Sequence, residues 1–169
     1  MLNTSHWSIT TLTFPGVMVH EFAHQIFCIL TKVPVRKVVY FSFGNPAGYV
    51  DHDKPTTFGQ QFWISVGPLV INSLITIVLG FIAAQTVRDP NLYYFILWLA
   101  FSIGAHAFPS NQDAGNILND SKALAQTSGN SLYYLAYPFF WLIWLANKLK
   151  YYWIDFIYAA ILISISLTI

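Results

Sequence analysis

Residues 10–30 read TTLTFPGVMVHEFAHQIFCIL, from Thr10 to Leu30, and this run decides what kind of protein the chain is. It is apolar, and at about 20 residues it is long enough to cross a bilayer as a helix. Within it His20-Glu21-Phe22-Ala23-His24 spells H-E-x-x-H. On a helix, two histidines at i and i+4 stack on one face and can reach a single metal ion. The glutamate beside the first is close enough to take a proton from a water on that metal. Leaving three such groups unengaged in an apolar helix is costly, which argues that they have work to do.

Composition widens the argument. The 169 residues are 56% hydrophobic, 18% aromatic and only 9% charged, against about 25% charged in soluble domains. This predicts an integral multi-pass membrane protein of the cell membrane, its partner the lipid bilayer. A net charge of +1 argues against a nucleic-acid partner. Cys28 is the lone cysteine, which excludes an internal disulfide and a CxxC-type metal site. The N-terminus lacks a basic region and a cleavage site, so the first apolar segment is expected to stay in the mature protein.

Five apolar segments are expected: Thr10–Leu30, about Phe62–Ala84, Leu92–Phe108, Leu132–Ala146 with Pro138, and Tyr152–Ile169 with Asp155. The fold class is therefore an all-α polytopic membrane protein. Between the first two segments, Val38–Phe43 and Tyr49-Val50 flank Gly44-Asn45-Pro46-Ala47-Gly48 and read as a small β-hairpin at the interface. With no long linker or repeat, residues 1–169 form one domain. Lys32, Arg36, Lys37, Lys54 and Lys122 lie on one side, and Arg88, Lys148 and Lys150 on the other. That bias places the hairpin loop in the cytoplasm. Trp7, Tyr93, Tyr94, Tyr151, Tyr152 and Trp153 read as an interfacial aromatic belt.

A zinc hydrolase site needs about three protein ligands and an open position. His20 and His24 supply two. Asp113 is the best third, since the end of the third segment returns to the side of the first loop and Pro109 ends that helix. His106, Asp120 and Cys28 compete with it, and an aspartate after a proline is also a common helix cap. Asp51-His52-Asp53 reads as a hydrated loop run and His6 as a polar flank.

HEFAH in a first membrane segment, Gly48-Tyr49-Val50 in the hairpin and Gly67-Pro68-Leu69-Val70-Ile71-Asn72 in the second segment together resemble the site-2 protease family of intramembrane zinc metalloproteases. The resemblance covers about residues 10–119, the expected catalytic core, and leaves the C-terminal segments, 132–169, unmatched. Asn72 stands one residue later than the family's asparagine, and the gap from Pro109 to Asp113 is shorter than usual. The resemblance implies a zinc-dependent endopeptidase that cleaves membrane-embedded or membrane-proximal peptide bonds. One Zn2+ ion is held by His20, His24 and Asp113, and Glu21 serves as base. Asn72 or His106 would hydrogen-bond the oxyanion or the substrate backbone, and the hairpin edge would hold the unwound substrate by β-addition.

Two other classes fit parts of the sequence. A non-catalytic membrane protein of protease ancestry would bind membrane substrates or metal without cleavage, and the off-pattern third motif favours it. Intact Glu21 counts against it. A metal-ion transporter would need ionisable residues spread along a path, whereas these cluster at one depth.

Overall fold

The computed structural model describes residues 9–110, 113, 115, 123, 126, 141, 144, 145 and 153–168. Its first full element is α1 (Phe14–Leu30), preceded by a helical turn at residues 9–12. Gly16, Val17, His20, Ala23, His24 and Cys28 are its buried residues. They recur three and four apart, so they form one stripe. Leu12, Met18, Phe22, Ile29 and Leu30 point outward.

The helix stops at a Schellman arrangement. Val33 N–H bonds the Cys28 carbonyl at 2.8 Å, Lys32 N–H bonds that of Ile29 at 3.1 Å, and Lys32 is left-handed at φ 59°. The hydrophobic contact that accompanies such ends is present too, because Cys28, Val33 and Ile64 share a core cluster.

The expected hairpin is present as two antiparallel strands, β1 (Val35–Val39) and β2 (Tyr49–His52). The first strand begins earlier than the Val38–Phe43 read from sequence, and residues 40–43 leave the ladder. The aromatic residues there have other partners: Phe41 packs on Phe14 of α1 (ring centroids 5.7 Å apart) and on Phe43 (5.2 Å). Val35 pairs with His52 and Lys37 with Asp51, which makes Arg36 the extra residue of a bulge. Its Nε donates to Asp53 at 2.7 Å, so the Asp51-His52-Asp53 run is part strand, part ion pair.

α2 (Phe58–Gln85) starts at a capping box in which Thr57 and Gln60 satisfy each other's backbone N–H groups. At 28 residues it outruns the predicted segment at both ends. α3 (Pro90–Ala105) starts at Asp89, whose carboxylate accepts from Asn91 and Leu92 N–H. It ends at Ala105 with His106 as C-cap, short of the expected Phe108. α4 (Ile154–Leu167) is the described part of the last segment. The expected fourth segment, Leu132–Ala146, lies almost wholly outside the described residues.

α2 and α3 pack on each other, with α1 on one side of the pair and α4 on the other. The α4 side is closed by small residues together with the Phe101–Phe156 stack (ring centroids 5.4 Å apart) and a 2.7 Å hydrogen bond between the Ser73 and Tyr158 hydroxyls. A Cβ on Gly80 would overlap the Ser166 hydroxyl, and one on Gly104 would stand 2.9 Å from the Ala159 Cβ. Among the described residues only α2 is long and apolar enough to cross a membrane by itself. α1, α3 and α4, with 17, 16 and 14 residues, are shorter.

Candidate metal centre

The register of α1 is set from α3. Thr13, the N-cap of α1, supplies no side-chain cap of its own. The buried Ser102 hydroxyl stands in: it accepts Gly16 N–H at 2.9 Å and donates to the Thr13 carbonyl at 2.9 Å. The close approach requires glycine, because a Cβ on Gly16 would strike the Ser102 carbonyl and the His106 ring. Trp98 Nε1–H adds a bond to the Leu12 carbonyl at 3.2 Å.

One turn further along α1 the two histidines enter the interior, 7% and 6% exposed for His20 and His24. His20 Nδ1 meets the His106 carbonyl at 2.6 Å and His24 Nδ1 meets the Ile64 carbonyl at 2.8 Å. A carbonyl only accepts, so each Nδ1 carries the proton and donates. That directs both Nε2 atoms to the same point, where they stand 3.1 Å apart.

Asp113 arrives there from beyond α3. Ser110 N–H and hydroxyl donate to its Oδ2 at 3.1 and 2.6 Å, and Asp113 N–H donates back to the Ser110 hydroxyl at 3.2 Å. This is a capping box, so the two readings of Asp113 coexist: it caps, and the same Oδ2 lies 3.3 Å from His24 Nε2.

Two imidazole nitrogens and a carboxylate oxygen, all within 4.8 Å of one another, form the metal-capable group among the described residues. Ligands on a tetrahedral zinc ion, about 2.0–2.1 Å from it, stand about 3.3 Å from each other. Two of the three separations, His20 to His24 at 3.1 Å and His24 to Asp113 at 3.3 Å, fit that figure, and all three atoms lie within 4.8 Å of one another. The donor chemistry fits too, since three lone-pair donors facing one point need a cation between them, and each imidazole has the backbone partner typical of a metal-bound histidine.

The other expected residues fall around this centre. Glu21 lies within electrostatic reach of His24 and Asp113. The hairpin closes over it at Gly48, where a Cβ would stand 2.7 Å from Glu21 Cγ and 2.9 Å from the Tyr40 carbonyl. Asn72 is 0% exposed, and its Nδ2 donates to the carbonyls of Ile103 (3.2 Å) and His106 (3.1 Å). Its donors therefore meet backbone, joining α2 to the end of α3. His106 caps α3, its Nδ1–H donating to the Ser102 carbonyl at 3.0 Å. Cys28 packs in the core with Val33 and Ile64, and Asp120 and His6 lie outside the described residues. Sequence reading missed Ser102, which carries no local signal, and Ser110, which carries one in Ser110-x-x-Asp113.

No curated protein and no solved structure matches the chain. The match that exists is to a family, and it runs from the cap of α1 through the carbonyl of His106 to Phe108. By that match over residues 13–108, the chain belongs to the DUF3267 family, described as "Putative zincin peptidase".

Proposed function

We propose that the chain is a zinc-dependent intramembrane endopeptidase of the site-2 protease type, acting on membrane-embedded or membrane-proximal peptide bonds. The observation that carries this reading is the convergence of His20 Nε2, His24 Nε2 and Asp113 Oδ2, with both Nδ1–H groups given to backbone carbonyls. When bound there, Zn2+ supplies Lewis acidity toward a carbonyl and lowers the pKa of water. The chain's own residues do the rest. His20 and His24 are held as neutral Nδ1–H tautomers, and Asp113 brings the negative charge that Ser110 steadies. Glu21 takes the proton of the attacking water and passes it to the leaving amine. The backbone at Gly48 roofs Glu21 and limits water around it, and the hairpin edge beside it can hold an unwound strand.

Depth supports a site inside the membrane. Ile64, whose carbonyl holds His24, and Asn72, which bonds the His106 carbonyl, lie about 9–21 Å along α2 from its first residue. A bilayer core is about 30 Å thick. Large apolar side chains line the outer surface at this level, among them Met18 and Phe22 of α1 and Val70 of α2.

The test is zinc content of the detergent-purified protein, paired with cleavage of a single-span reporter peptide in liposomes. Wild type should carry about one zinc per chain. Asp113→Ala and His20→Ala should lose it. Glu21→Gln should keep the zinc and lose about 10²–10⁴-fold in rate. Undiminished cleavage by zinc-loaded Glu21→Gln would overturn the mechanism. Zinc without cleavage in wild type would favour a binding role.

A further inference from the structure

We infer that Pro68 is a positioning residue of the metal centre: by lacking an N–H it leaves the Ile64 carbonyl to the His24 imidazole. The inference deepens the reading of His24 as a zinc ligand and rests on it. In an α-helix the N–H of residue 68 bonds the carbonyl of residue 64. Proline has none, and it turns that carbonyl away from the helix axis. Pro68 stands well inside the 28-residue α2 and is fully buried, a position where proline is costly and no turn calls for it. The carbonyl it releases receives His24 Nδ1–H at 2.8 Å. That bond keeps the proton on Nδ1 and aims Nε2 at the metal point.

The neighbouring residues work to the same end. Gly67 lets α1 come close, since a Cβ there would overlap the Phe27 ring. One turn beyond Pro68, Asn72 donates to the His106 carbonyl that accepts His20 Nδ1–H. Asn72 Oδ1 is buried with no partner among the described residues, so that amide contributes through its donors. α2 thus supports both histidines through backbone carbonyls, by withholding a donor at Pro68 and by supplying one at Asn72.

The experiment compares full-length wild type, Pro68→Ala and Thr76→Val in detergent. Alanine restores the missing N–H. Thr76 is the control because its hydroxyl also ties α2 to α3, donating to the Ala100 carbonyl at 3.3 Å away from either histidine's partner. Two readouts are taken: zinc affinity by chelator competition, and the histidine 15N spectrum of the zinc-free proteins in alkaline buffer, where imidazoles are neutral.

The expected result is about a 10-fold loss of zinc affinity in Pro68→Ala, with Thr76→Val at the wild-type value. His24 should be a fixed Nδ1–H tautomer in wild type and a mixture in Pro68→Ala, while thermal stability is kept or raised by the better helix former. Zinc affinity of Pro68→Ala within about twofold of wild type, or an unchanged His24 tautomer, would overturn the inference. Should wild type bind no zinc, the metal reading itself fails, and the tautomer comparison alone decides the role of Pro68. Pro68→Val, closer to proline in volume, supplies the same N–H if the alanine variant does not fold.

Discussion

The two sides of α3 are built differently. Toward α1 the contact is polar and directional: the Ser102 hydroxyl bridges Gly16 and Thr13, the His106 carbonyl holds His20, and Trp98 reaches Leu12. Toward α4 the α3 contact is one of packing, Gly104 fitted against Ala159 and the Phe101 ring stacked on Phe156 (centroids 5.4 Å apart), while alongside it Gly80 of α2 meets Ser166 and the Ser73 hydroxyl of α2 bonds that of Tyr158 at 2.7 Å. Hydrogen bonds with defined angles set rotation and axial register as well as distance. Close packing of small residues sets distance and little else. The α3 face richer in directional bonds is the face that carries the histidines, so in the proposed function the α1 seam sets the site and the α4 seam supports it.

The comparison can be broken first at Gly16. Gly16→Val drives a branched side chain into the Ser102 backbone, which cannot swing aside as a flexible side chain could. The cost should exceed the roughly 1–3 kcal/mol of ordinary overpacking. Zinc content of the purified variant should fall close to zero along with its thermal stability. Wild-type zinc content in a folded Gly16→Val protein would mean the seam does not set the site.

Gly80→Leu is the counterpart on the other seam. It should lower stability by about 1–3 kcal/mol in thermal unfolding, with zinc per folded molecule unchanged. Zinc loss at this distance from the histidines would erase the distinction between the seams. The smallest effect is expected from Ser102→Ala, which removes the borrowed cap of α1 for about 1 kcal/mol. If the seam sets orientation, this variant loses zinc affinity by a few fold although its stability drop is smaller than that of Gly80→Leu. A chelator titration of the two variants side by side ranks them directly.

Much of the centre was legible in the sequence because it depends on side-chain spacing along one helix. The four-residue step from His20 to His24 predicts a shared face, and their Nε2 atoms stand 3.1 Å apart. Asp113 was reachable from the chain's return beyond α3, and it lies 3.3 Å from His24. What could not be read is where backbone carbonyls point. The partners of both imidazoles, Ile64 and His106, are main-chain atoms, and residue type says little about them except where proline or a helix end exposes one. The strand shift from Val38–Phe43 to Val35–Val39 has a similar origin. β-Propensity of the Phe41 and Phe43 region was overridden by ring packing on Phe14, a tertiary contact. For the described segments order was legible and extent less so: hydropathy runs through Thr10–Thr13 and past Ala105, while α1 proper starts after a break at Thr13 and α3 stops at Ala105.

The small-residue groove of α2 and α3 has a consequence for the order of assembly. His20, Glu21, His24 and Asp113 all precede α4 in the chain, and α4 can dock only after α2 and α3 have come together to form its seat. During synthesis the groups that gather at the metal point are therefore already in the nascent chain before residues 154–167 emerge. In the proposed function, the centre is therefore gathered early enough to take up a metal before α4 closes against its seat.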